Sequence, residues 1–170
     1  MGVALVVALS VAAASFAGAP QVGVPSPDDV CKMLTTKQVV TIMADKPFDR
    51  PRPDEQGCTW DTDPVKRVEE GRYRYVFLEV KSREEATDGY PDYGSALESG
   101  TRQIRSIKGI GDEAYTGKTV LIADGTIDSI NVAKGDTVVE LNWQTAKPVK
   151  PGSARYRQIL KIVRGVLTEV

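Results

Sequence analysis

The chain offers few side chains that could perform catalysis. It contains no histidine, which is the commonest general base in enzymes and a frequent zinc ligand. Glycoside hydrolysis needs two carboxyl groups about 5–10 Å apart across a cleft, one of them with a raised pKa. Near-neighbour carboxylates stand at Asp61 and Asp63, Glu69 and Glu70, Glu84 and Glu85, and Asp112 and Glu113. Such neighbours are usually solvated turn residues, so we assign no catalytic residue and keep a carboxylate-dependent glycan hydrolase as an alternative.

Two glycine-containing segments resemble nucleotide-binding motifs in their letters alone. Residues 109–114 (Gly-Ile-Gly-Asp-Glu-Ala) fit the dinucleotide fingerprint, and Gly117-Lys118-Thr119 resembles the end of a phosphate loop. Both motifs must follow a strand and open a helix, whereas here a helix is predicted before them and a strand after them. Four aspartates lack the spacing of a calcium-binding loop: Asp88, Asp92, Asp124 and Asp128. We therefore expect neither a cofactor nor a metal ion.

Two other features are better suited to recognition. Tyr90 and Tyr93 lie in a polar loop where no apolar periodicity explains them, and exposed loop aromatics are common in binding sites. The alternative is that one or both fold back onto the sheet. The second feature is a cationic run without an intervening acid: Lys147, Lys150, Arg155, Arg157, Lys161 and Arg164. It could contact an anionic envelope polymer or lipid headgroups, although such a run is usually an ordinary solvated helix face.

The N-terminal segment predicts export. Residues 3–14 are almost entirely aliphatic, and the small residues Ala17-Gly18-Ala19 follow them. This pattern is typical of a secretory signal peptide and is short for a transmembrane helix, which needs ~20 apolar residues. An uncleaved anchor or a buried helix is the alternative. The chain divides accordingly into a signal peptide, a short tether and one domain, at residues 1–19, 20–27 and 28–170.

The cysteines support the same location. Cys31 and Cys58 are the only two in the chain, and an even number in an exported protein argues for a disulfide. Two unrelated buried thiols are the alternative. Closing a loop of that length would stabilise the fold by ~3–4 kcal/mol. A zinc site is disfavoured, because two sulfurs without a histidine supply only half of the ligands.

Local patterns predict an α+β fold. Capping signals at Ser26 and Thr35 begin two short helices, and apolar stripes indicate a middle helix over residues 94–107 and a C-terminal helix over 153–168. The segment 45–57 is predicted to be a loop. Strands are predicted at residues 58–60, 72–81, 118–123, 126–134 and 137–145.

The predicted strands indicate one sheet. The strand at 72–81 carries apolar residues on both sides, which predicts a central strand covered on both faces. Asp124-Gly125 and Gly135-Asp136 are hairpin signals. We therefore expect an antiparallel sheet of about five strands, packed against N-terminal, middle and C-terminal helices and closed by one disulfide.

Several landmarks together resemble a known family. They are the leader, Pro27–Thr35 (Pro-Asp-Asp-Val-Cys-Lys-Met-Leu-Thr), Gly57-Cys58-Thr59-Trp60, the Gly-Ile-Gly-Asp-Glu-Ala-Tyr segment at 109–115, and Lys134-Gly135-Asp136. The pattern resembles the actinobacterial secreted proteins and lipoproteins of the cell envelope that are classed as a domain of unknown function. The resemblance implies a location outside the membrane and structural roles for Cys31, Cys58, Trp60 and Gly111. This chain departs from the family in lacking a lipid-bearing cysteine near its leader.

These observations predict an exported, non-catalytic domain of the cell envelope that binds a ligand or a protein partner. The 22 basic and 23 acidic residues nearly balance, so the net charge does not favour nucleic acid. The expected partner is an unidentified envelope component or protein, with peripheral membrane association left open. A glycan hydrolase and an extracellular sensor-like module stay as alternatives.

Overall fold

The computed structural model describes residues 23–55, 57–62, 74–87, 101–121, 125–145 and 148–170. The predicted signal peptide lies outside these residues. Within them the chain forms α1 (Pro27–Val30), α2 (Thr36–Met43), β1 (Arg52–Pro53), β2 (Gly57–Asp61), β3 (Tyr75–Ser82), α3 (Arg83–Thr87), β4 (Thr101–Ser106), β5 (Glu113–Leu121), β6 (Gly125–Lys134), β7 (Thr137–Gln144) and α4 (Ala154–Glu169).

The strands form one antiparallel sheet, in the order β1-β2-β3-β7-β6-β5-β4. The α+β class is confirmed, but the described sheet has seven strands rather than about five. One additional strand is β1, whose two residues lie in the predicted loop and pair with Thr59 and Cys58. The predicted hairpin at Gly135-Asp136 joins β6 to β7. β5 pairs with β6 as predicted, but Gly125 is a strand residue paired with Leu121, and Asp124 lies outside the described residues. Gly135 in the second turn has φ +56°, a left-handed conformation that glycine adopts without a steric penalty.

The other additional strand is β4, where the predicted middle helix is wrong. Residues 101–106 pair with β5, and the register shifts between Arg102 and Arg105. The spacing of Ile104 and Ile107 fits a helix, but without β4 the outer edge of β5 would lack partners for its backbone N–H and C=O groups. Strand pairing therefore overrides the local pattern. Residues 94–100 lie outside the described part, and the helix observed between β3 and β4 is the short α3.

The helices begin where their capping signals predict. Ser26 accepts a hydrogen bond from a backbone N–H in the first turn of α1, and Ser153 does the same for α4. At α2, the Thr35 backbone N–H donates to the Gln38 side chain at 2.7 Å, and the Gln38 N–H donates back to the Thr35 hydroxyl at 3.3 Å. These bonds satisfy N–H groups that have no partner within the helix.

One face of the sheet is covered by α1, α2 and α4, and the main core lies between these layers. Alternate side chains of β3 and β7 are buried there, together with the apolar stripe of α4. The contributing residues include Val76, Leu78, Val80, Val139, Leu141, Trp143, Ile159, Val163 and Val166. The predicted alternation of β7 is thus confirmed for Val139, Leu141 and Trp143.

The opposite face of the sheet is only partly covered. Ala86 of α3 packs there against Ala133 and Val138, but Tyr75 and Phe77 stay partly exposed. The strand is central, as predicted, but the predicted cover on both faces is only partial at these two residues. The apolar residues on the two sides of β3 therefore have different surroundings: one side is buried in the core, and the other carries the partly exposed rings of Tyr75 and Phe77.

The predicted disulfide is confirmed. It joins Cys31, at the end of α1, to Cys58 in β2, with a Cα–Cα distance of 5.1 Å. Cys58 is fully buried in the main core. The bond therefore ties the N-terminal helix to the sheet, and a closed disulfide is typical of a non-reducing, extracytoplasmic environment.

Candidate functional site

The partly covered face of the sheet carries the candidate site. Phe77 on β3 lies between Thr59 of β2 and Asn142 of β7, because these residues are partners in the strand register. Tyr75 lies two residues before Phe77 and therefore projects from the same face. Together these four residues, the open-face patch, line a shallow groove of about 250 Å³.

The polar members of the patch are held by neighbouring side chains. The Asn142 amide donates to Glu140 Oε1 at 2.7 Å, and the Thr59 hydroxyl donates to Asp54 Oδ2 at 3.2 Å. The aromatic rings stand on a strand whose other side is packed into the core, which limits their movement. The patch thus presents two rings, an amide and a hydroxyl in a fixed arrangement.

An acid–lysine cluster, formed by Glu79, Lys81 and Glu140, adjoins the patch along β3. Glu79 and Glu140 are register partners on β3 and β7, a position in which like charges repel each other. The Lys81 ammonium lies between them, 2.9 Å from Glu79 Oε2 and 3.4 Å from Glu140 Oε2. One cation therefore pairs with both carboxylates at close range but balances the charge of only one of them.

Burial changes the protonation behaviour of this cluster. Glu79 is 8% exposed, and burial raises its pKa above the ordinary value of 4.5, although the hydrogen bond from Lys81 acts in the opposite direction. Burial alone would lower the pKa of Lys81, but the hydrogen bond to Glu79 and the charges of both glutamates outweigh it and raise that pKa. The lysine therefore stays charged while the free-energy cost of ionising Glu79 is increased.

A second groove, of about 540 Å³, opens beside Glu79 and Lys81. Val24 and Pro25, in the segment that leads into α1, form part of its wall together with Glu85 of α3. The groove lining thus combines charged side chains, most of them acidic, with apolar ones. It extends the accessible surface from the open-face patch towards the N-terminal end of the described chain.

The structure describes only some of the residues that the sequence proposes for binding. Tyr90, Tyr93 and Lys147 lie outside the described residues. Lys150, Arg157, Lys161 and Arg164 are exposed, so they form a solvated cationic surface at α4 and the loop before it.

Arg155 differs from the other members of the cationic run. Its side chain is partly buried and points to the end of α2, where Nε donates to the Thr41 carbonyl at 3.0 Å and a terminal nitrogen donates to the Ile42 carbonyl. Carbonyl groups in the last turn of a helix lack partners within that helix. Arg155 therefore joins α4 to α2 and is not part of the exposed cationic surface.

The Gly109–Ala114 segment forms a structural loop that leads into β5. Asp112 accepts a hydrogen bond from the Gly135 backbone N–H at 2.7 Å, which fixes the loop to the β6–β7 turn. Gly111 has φ +59°, and a Cβ at this position would overlap the Ala133 carbonyl oxygen and the Val132 side chain. A strand follows the loop, so it cannot place the N-terminus of a helix at a pyrophosphate group.

Sequence reasoning missed the open-face patch and the acid–lysine cluster. The sequence does contain one signal: the polar residues Glu140 and Asn142 alternate with apolar residues along β7, and aromatic residues alternate in the same way along β3. Only the strand register shows that Glu79 faces Glu140 and that Phe77 faces Asn142. The acid pairs that the sequence suggests are neighbours in the chain. The pair that forms in the sheet joins Glu79 to Glu140, which are far apart in the chain.

Comparisons with known proteins do not identify the chain. No family model, no curated protein and no solved structure matches it. Among the helices in the described ranges, none combines the length and the apolarity needed to cross a membrane. The described residues also hold no group of three or more acidic or cysteine side chains arranged for a metal ion.

Proposed function

We propose that this protein is a non-catalytic, exported domain of the cell envelope that binds a glycan on its open-face patch. The observation that carries the proposal is the pair of partly exposed rings, Tyr75 and Phe77, flanked by Asn142 and Thr59 in one groove. A sugar ring has an apolar face that packs on an aromatic ring, and it has hydroxyl groups that pair with amides and carboxylates. Aromatic side chains provide large contact areas at a small cost in conformational entropy.

Three observations support the location at the envelope. The disulfide indicates a non-reducing compartment, the apolar leader fits a signal peptide at residues 1–19, and the sequence landmarks resemble an actinobacterial envelope family. In this proposal, residues 20–27 connect the leader to the domain. The exposed cationic residues of α4 and any contact made by Tyr90 and Tyr93 would assist attachment to an anionic envelope surface.

The acid–lysine cluster supports binding rather than hydrolysis. A general acid must deliver a proton to the leaving group, and its partner must be free to attack or to activate water. Here Lys81 bonds to one oxygen of Glu79 and to one oxygen of Glu140, and this pairing opposes both proton delivery by one carboxyl group and attack by the other. In the proposed role, Glu140 and Asn142 accept and donate hydrogen bonds at the edge of the bound sugar.

A glycan hydrolase is the second candidate, because Glu79 is buried, has a raised pKa and faces Glu140. Sedimentation of the purified protein with insoluble peptidoglycan, followed by analysis of released sugars, separates the two roles. We expect retention on peptidoglycan without release of soluble fragments. Fragment release that is lost in Glu79→Gln would establish the hydrolase, and retention only on anionic lipid vesicles would refute the glycan-binding role.

A further inference from the structure

A third, separate cavity lies on the helix-covered side of the sheet. It has a volume of about 60 Å³ and lies among β5, β6, β7 and the start of α4. Its wall includes Arg105, Lys118, Asp128, Trp143 and Tyr156. A cavity of about 10–15 Å³ is enough for one water molecule, so this one accommodates several waters or one small ligand and is too small for a glycan chain.

The Trp143 indole is the first indication of a ligand. Trp143 is 1% exposed, and its buried Nε1 has no hydrogen-bond acceptor among the residues that the structure describes. An unpaired buried N–H group destabilises the folded state, and buried tryptophans usually find a partner for it. Trp143, whose indole N–H the surrounding protein does not satisfy, thus forms part of the cavity wall.

The charges around the cavity are the second, independent indication. Asp128 is 7% exposed, and its Oδ1 lies 3.5 Å from the Lys118 ammonium. The Val149 backbone N–H also donates to it, and burial raises its pKa in spite of these groups and the charge of Arg155. One carboxylate therefore faces several positively charged side chains.

Tyr156 and Arg105 add further donors on the same side. The Tyr156 hydroxyl forms a hydrogen bond with Thr116, and its pKa is raised by burial although the positive charge of Arg105 acts to lower it. The Thr116 hydroxyl also donates to the Ser129 carbonyl at 2.9 Å. Asp128 pairs with Lys118, so the guanidinium of Arg105 adds a positive charge to the cavity wall that this pair does not balance.

We propose that this cavity binds a small oxyanion, of the carboxylate or phosphate type, between Trp143, Lys118 and Arg105. The anion accepts a hydrogen bond from the indole N–H and charge-assisted hydrogen bonds from the two cations. This site is independent of the open-face patch, since Trp143 projects from the opposite face of β7 to Asn142. Its failure would leave the proposed glycan binding unaffected.

The indole N–H resonance of Trp143 provides a direct test. Trp60 and Trp143 are the only tryptophans, so Trp60→Phe assigns the two indole signals in a nitrogen–proton spectrum of the purified protein. Phosphate, acetate and chloride are then titrated separately at constant ionic strength. We expect the Trp143 signal to shift and saturate at millimolar phosphate or acetate, with Trp60 unchanged. The anion that binds more tightly distinguishes the phosphate class from the carboxylate class.

Two variants sharpen this titration. Arg105→Met removes an exposed cation and is expected to weaken binding by about tenfold, while Lys161→Met on the exposed side of α4 leaves binding unchanged. The remaining resonances report whether each variant keeps its fold. A Trp143 signal that does not move, that moves equally in chloride, or that responds equally in Arg105→Met would overturn the proposal and leave water as the occupant.

Discussion

Removal of the Cys31–Cys58 disulfide is expected to lower the free energy of unfolding by about 3.5 kcal/mol. The two cysteines are 27 residues apart. In the chain-entropy relation, the lost entropy of the unfolded state is about 12 cal/mol/K for a loop of this length, which gives this free energy at 25 °C. Domains of this size are usually stable by about 5–15 kcal/mol, so the bond supplies a substantial share.

Urea unfolding monitored by tryptophan fluorescence measures this loss. The oxidised protein is compared with Cys31→Ala/Cys58→Ala and with wild-type protein reduced under denaturing conditions and refolded. Reduction removes only the cross-link, whereas the double variant also removes a sulfur atom from a fully buried position at Cys58. We therefore expect the variant to be the less stable of the two cross-link-free forms.

The midpoint of unfolding should fall by about 1–3 M urea, given the usual dependence of unfolding free energy on urea. The slope of that dependence should rise, because an unfolded chain without the cross-link exposes more surface. Equal midpoints for the oxidised and reduced proteins would refute the reasoning. That result would mean that the bond does not restrict the unfolded chain or that it does not form.

The other predictions concern single residues. Gly109 and Gly111 both have positive φ, but of the two only Gly111 lacks room for a Cβ. Gly109→Ala should therefore lower the free energy of unfolding by about 1 kcal/mol, through its positive φ alone. Gly111→Ala should lower it by about 3 kcal/mol, because the added Cβ also overlaps neighbouring backbone. Burial holds the pKa of Glu79 above 4.5, so wild type must ionise a buried carboxyl group as the pH increases through that pKa. The stability of Glu79→Gln relative to wild type should therefore rise over this pH range. Glu85→Gln should show the opposite pattern, since hydrogen bonds from Ser82 lower the pKa of Glu85. Wild type should be the more stable protein above pH 4.5 and should lose that advantage as the pH falls. Arg155→Met should lower the unfolding free energy by about 1.5–3 kcal/mol through lost bonds to α2, and replacement of an exposed arginine of the same helix should have little effect in the same denaturation assay.

Features set by residues close together in the chain were predictable. The capping box of Thr35 and Gln38 needs only three residues' separation, and a turn at Gly135-Asp136 needs only two adjacent residues. The apolar stripe of α4 likewise follows from helical periodicity within one segment. In each case the interaction that stabilises the element is encoded inside it.

Features that depend on strand register were not predictable from one sequence. β4 pairs with β5, although its own residues also fit a helical stripe, because tertiary context can override local propensity. Nothing in the local pattern around Phe77 states whether a second layer covers it. Likewise, Glu79 faces Glu140, and Lys118 meets Asp128, only after separate strands align. The candidate sites therefore become visible at the level of the sheet.

The most direct test of the glycan-binding proposal is an affinity measurement on matched phenylalanine variants. Phe77→Ala removes a ring from the open-face patch, and Phe48→Ala removes a ring that is 58% exposed outside the patch. We predict that Phe77→Ala binds soluble peptidoglycan fragments about tenfold more weakly than wild type, while Phe48→Ala binds like wild type and both variants keep their fold. Equal affinities of Phe77→Ala and wild type, or equal losses in the two variants, would contradict the proposal that the open-face patch holds the ligand.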